Sequence, residues 1–81
     1  MYKVADIKNC YNICLVDYEE ERKKANILCD ALIEKGVTEI NQSAVNQLKF
    51  TVEYFAVDED WDDKTIEENV AYILDAMVEG K

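Results

Sequence analysis

Proline and histidine are absent from this 81-residue chain, glycine occurs twice and serine once. Each absence excludes something. With no proline, and glycine only at Gly36 and Gly80, few positions can break a helix, so long helices are favoured. With no histidine, a common general base and metal ligand is missing. Ser43 stands alone and no glycine-rich phosphate loop accompanies it, so nothing points to catalysis and the chain is read as a non-enzyme that needs no cofactor. Long apolar runs are missing too. The longest are Ile13 to Val16 and Tyr54 to Val57, far short of a secretory leader or of the ~20 residues of a membrane span. An intracellular, cytoplasmic protein is expected. The three cysteines, Cys10, Cys14 and Cys29, are an odd number and imply no disulfide framework.

About half of the chain is apolar, which is enough for one small core. A domain of this size buries only about 60–65% of its unfolded surface, so it is marginal alone and would gain by dimerising. Net charge is −9, which argues against direct binding to nucleic acid or an anionic membrane. The charge is lopsided. Residues 1–49 hold 8 acids and 7 bases, whereas residues 50–81 hold 10 acids and 2 bases. Such asymmetry suits a basic partner, or simply solubility.

Periodicity predicts an all-α domain of three segments. In the first, over 3–35, Val4, Ile7, Tyr11, Cys14, Tyr18, Ala25, Leu28 and Leu32 follow a heptad seam that only Glu21 interrupts. Unbroken, this helix would run roughly 50 Å, against about 30 Å for a compact domain of this length. It must therefore project and pack on a second copy, or break. Asp17 and Glu20 have the form of a capping box, and the residues before them are poor helix formers, so Asp17 is the place where a break fits, and the first helix is either long or broken there. Gly36 closes the segment. The second segment starts at Asn41 or Ser43 as N-cap. It carries one apolar face through Val45, Leu48, Val52 and Phe55, and another through Phe50, Tyr54 and Val57. Two apolar faces suit the middle of a bundle. The alternation over 48–54 also permits a strand at 48–57 in a small α+β domain. The third segment has a stripe through Ile66, Val70, Ile73, Leu74 and Met77. Asp62 or, a turn later, Thr65 caps it, and Trp61 stands before the cap as a hydrophobic staple onto Ile66.

The acids Asp58, Glu59, Asp60, Asp62, Asp63, Glu67 and Glu68 crowd seven carboxylates around Trp61. Their plain role is solvation and support of a helix N-terminus. Their sharper role is to engage a basic protein surface, with Trp61 as anchor and the carboxylates imitating a phosphate track. Small acidic inhibitors of phages and mobile elements work in this manner, and the partner would be a nucleic-acid-binding protein. The chain would then be a regulator or inhibitor. A structural alternative is a homodimer assembled through the seam residues Tyr11, Cys14, Tyr18 and Leu28. A third is a weak calcium switch over 58–69, where acids at loop positions 1, 3 and 5 fit, but Asp63 replaces the turn glycine and Asn69 the final acid. The cysteines read as small buried apolar residues, and no metal site is expected. Arg22, Lys23 and Lys24 follow three glutamates. The i,i+4 pairs Glu19–Lys23 and Glu20–Lys24 are expected on an exposed face.

Overall fold

The heptad seam does not belong to a single helix. The computed structural model of the chain describes residues 1–14, 16–55 and 61–80, with Phe55 described by its backbone alone. Helix α1 spans Val4–Cys14 and helix α2 spans Glu19–Glu34. The break falls where weak helix formers lead into Asp17, and the three glutamates of the first turn of α2 face its positive end. The device at the break differs from the expected one. Tyr18, not Asp17, occupies the N-cap, and its side chain makes no capping hydrogen bond, so no Asp17–Glu20 box defines the start. Instead the Arg22 guanidinium reaches back across the turn and donates to the Val16 carbonyl at 3.3 Å.

Folding at this turn lays α1 against α2 and closes the seam on itself. Val4, Ala25, Leu28 and Leu32 are fully buried, and Ile7 and Tyr11 pack half-buried against them. The two amides Asn12 and Asn26 face each other across the hairpin and exchange hydrogen bonds at 2.9 and 3.0 Å. Asn12 also donates to the Lys8 carbonyl at 2.9 Å. Lys8 pairs with Asp30 at 2.6 Å on the same hairpin.

Helix α2 ends as its glycine requires. Gly36 sits at φ +85°, which a side chain would resist. The Gly36 N–H donates to Ile33 and the Val37 N–H to Leu32, both at 2.9 Å, which is the pairing of a Schellman cap. Strands β1 (Tyr2–Lys3) and β2 (Glu39–Ile40) then form a two-residue antiparallel ribbon, with Tyr2 opposite Ile40. Periodicity cannot show a ribbon this short.

Helix α3 spans Gln42–Phe55, so 48–55 is helix and the strand alternative is replaced there. Its cap is Asn41. The Asn41 side-chain oxygen accepts from the Ala44 N–H at 3.0 Å, and its amide donates to the Met77 carbonyl at 2.7 Å. One side chain therefore starts α3 and ties it to the end of the next helix. Ala44, Leu48, Thr51 and Val52 are buried. The expected second apolar face is not: Phe50 and Tyr54 are 48% and 65% exposed and stack on each other at 4.7 Å. Val57 lies outside the described residues.

Helix α4 spans Asp63–Glu79, and its stripe behaves as its period demands. Val70 and Ile73 are buried, while Ile66, Leu74 and Met77 pack half-buried on the core. Asp62 is the cap, accepting from the Thr65 N–H at 2.8 Å, so the earlier of the two possible starts is used. The described residues thus form a four-helix all-α domain with a minimal ribbon. The radius of gyration is 11.5 Å, close to the ~11.7 Å of a compact domain of this length. No helix among the described residues is long and apolar enough to cross a membrane.

Candidate functional site

Helix α4 divides the acidic residues between its two flanks. Asp63 and Glu67, four residues apart, line a groove against α2. Its floor is Ile27, Ala31, Ile66 and Val70, and its exposed rim is Asp30, Glu34, Asp63 and Glu67, with Lys35 as the base among its described lining residues. The groove encloses about 560 Å³. Glu68 faces the other flank, where a groove of about 660 Å³ runs between α3 and α4. There Phe50 and Tyr72 supply exposed aromatic surface, and Glu68, Asp75 and Glu79 supply the charge. The carboxylates of α4 therefore do not make one continuous track. They form two acidic margins, each beside apolar surface.

Asp62 has a different duty. Hydrogen bonding from Thr65 holds its carboxyl below the usual aspartate range, so it stays ionised as a cap. Asp58, Glu59 and Asp60, expected to join the contact, lie outside the described residues. Trp61 is half-buried and packs against the core. The Lys24 ammonium sits 5.3 Å from the centre of its ring. Lys24 is only 3% exposed and lies 4.0 Å from Glu20, so the expected Glu20–Lys24 pair forms, but not as a freely solvated surface pair. The covered ammonium exchanges water for the π-face of Trp61 and the Glu20 carboxylate. Trp61 thereby fastens the start of α4 to α2.

The seam residues separate in the same way. Leu28 is fully buried within the chain and Tyr11 is half-buried, whereas Cys14 and Tyr18 are exposed beside the α1–α2 turn. Burial, and then the nearby charges of Cys29 and Glu53, push the Tyr11 hydroxyl up to about 12. The reading of all three cysteines as buried holds for Cys29 alone. Burial and the neighbouring Asp30 push the Cys29 thiol up to about 11. Cys10 and Cys14 are both exposed, with their sulfurs 3.7 Å apart. The hydrogen bond with Cys10, and then the Cys10 charge, raise the Cys14 thiol. Both cysteines lie on the flank of α1 that α2 leaves uncovered, because i and i+4 share a face and the seam turns Ile7 and Tyr11 inward instead.

In the calcium-like stretch, Asp62 is occupied as a cap, while Asp58 and Asp60 are outside the described residues. Asn69 is buried, with its amide donating to the Thr65 carbonyl at 3.0 Å. Among the described residues, no group of three or more histidine, cysteine, aspartate or glutamate side chains is placed to hold a metal ion.

Sequence reasoning missed Asp30 and Glu34. Both come from the charge-balanced half of the chain, and only the approach of α2 to α4 brings them beside Asp63 and Glu67. Their i,i+4 spacing is visible in the sequence, but the partner of that face is not. Compared with models of known protein families, with curated proteins and with solved structures, the chain matches none.

Proposed function

We propose that the protein is a non-enzymatic regulator or inhibitor that engages a basic surface of another protein through its acidic C-terminal half, competing there with nucleic acid. One observation carries this reading: Asp30 and Glu34 of α2 and Asp63 and Glu67 of α4 rim a groove whose floor is Ile27, Ala31, Ile66 and Val70. Carboxylates that served only solubility would need no shared apolar floor. Carboxylates around such a floor can steer a basic partner in and then let its apolar surface be buried. A segment with lysines or arginines along one side and aliphatic residues along the other complements it.

The test is retention of proteins from a lysate of the source cell on the tagged chain, across a salt series and with excess DNA as competitor. A basic nucleic-acid-binding protein should be retained and then released by both salt and DNA. The triple variant Glu34→Gln, Asp63→Asn, Glu67→Gln leaves the Asp62 cap in place and should lower that retention at least tenfold. Retention unchanged by the three substitutions removes the groove from consideration.

A further inference from the structure

We propose that Cys10 and Cys14 are half of a thiolate site for a tetrahedral divalent cation of the zinc class, completed by the same two cysteines of a second copy of this chain. The geometry is the first support. The two sulfurs stand 3.7 Å apart, far beyond the ~2.05 Å of a disulfide. At a zinc–sulfur distance of about 2.3 Å, two ligands of a tetrahedral ion have sulfurs roughly 3.8 Å apart. The helix therefore spaces the pair as one edge of that tetrahedron.

The incompleteness of the pair is the second support. A closed tetrahedral site takes four ligands. The chain has no histidine, and its remaining cysteine, Cys29, is buried in the core. Among the described residues no third histidine, cysteine, aspartate or glutamate joins the pair, so the proposal takes the other edge from outside the chain. A second copy related by a two-fold axis brings an identical edge, and crossing the two at right angles closes the site. Each thiol loses its proton to solvent as its sulfur binds the ion, with no oxidant or reductant involved.

The surroundings identify the second copy as occupant. Ile13, Val16 and Tyr18 are 76%, 60% and 59% exposed around the same end of the hairpin, and a copy seated there would cover them. The acidic grooves beside α4 stay open in such a dimer, so this site is independent of the proposed partner surface.

The experiment uses the full reduced chain with zinc alone, and cobalt as a spectroscopic replacement. Sedimentation should move from monomer to dimer at one ion per two chains. Cobalt should give the intense sulfur-to-metal charge-transfer band of four thiolates. Cys10→Ser or Cys14→Ser should each abolish both effects while circular dichroism stays unchanged, and Cys29→Ala should keep them. The proposal is overturned if the ion binds one per chain without a change in mass. A dimer that persists in chelator, or binding that survives Cys10→Ser, overturns it as well.

Discussion

Tyr11 and Cys29 illustrate how burial converts a side chain into a pH-dependent source of stability. The Cys29 thiol is pushed up to about 11 and the Tyr11 hydroxyl to about 12, both chiefly by loss of water. In the unfolded chain they ionise near their ordinary values of about 8.5 and 10. Their contribution is therefore complete below about pH 8.5 and is lost as pH climbs toward the folded values. Urea midpoints measured from pH 7 to 10.5 should fall on the alkaline side, and Cys29→Ala should flatten the first part of that fall. A flat profile in the native chain would contradict the burial of both groups. Asp62 works in the opposite sense. Its carboxyl is held low by Thr65, so its contribution is complete above the ordinary aspartate range and lost as pH falls through the lower folded value. The carboxylate that Asp62 offers as a cap was legible as one of two starts, Thr65 being the other, and the structure uses Asp62. The exposure of Cys10 and Cys14 was not legible, because the seam places Cys14 on an apolar line and cannot say that the line ends at a turn.

At the level of elements, the α1–α2 hairpin is specified by more than its apolar seam. Asn12 and Asn26 satisfy each other in a half-buried setting, and a slip of one helix along the other would cost Asn26 both of these bonds and leave the Asn12 side-chain oxygen without its donor. Asn26→Leu should cost about 1–3 kcal/mol, mostly through the Asn12 side-chain oxygen left without a donor, since the Asn12 amide keeps the Lys8 carbonyl. The double variant Asn12→Leu, Asn26→Leu should cost clearly less than the sum of the singles. Strictly additive costs in chemical denaturation would mean that the amides do not act as a pair. No propensity or spacing rule singles out these two residues, since each alone reads as an ordinary polar position on a helix. The Gly36 cap is the contrasting case. A glycine following an apolar helical period, with Val37 able to fold back on the helix, announces a Schellman closure within a handful of residues. The ribbon between Tyr2–Lys3 and Glu39–Ile40 joins segments far apart in sequence and leaves no periodic trace.

Across the whole molecule, charge is the largest unbalanced quantity. Around one apolar groove Asp30 is paired with Lys8, which leaves Glu34, Asp63 and Glu67 to crowd negative charge at its rim. The double variant Glu34→Gln, Glu67→Gln, which keeps Asp63 in the first turn of α4, should therefore melt at a higher temperature than the native chain at low salt. The difference should shrink as salt rises and screens the repulsion. Equal melting temperatures at low salt would show that these acids are too well solvated to matter to one another. Helical class, the cap at Gly36 and the stripe of α4 follow from residues within one or two turns of each other, and the same local rules offer Asp17 as a place to break and Asp62 as one of two caps. Such short-range steric and hydrogen-bonding preferences act before any tertiary contact forms. The meeting of Asp30 and Glu34 with Asp63 and Glu67, the burial of Leu28, the exposure of Phe50 and Tyr54 and the cover of Lys24 over Trp61 were decided by packing alone. Each depends on which helix faces which, and that choice belongs to the joint burial of the core rather than to any single segment.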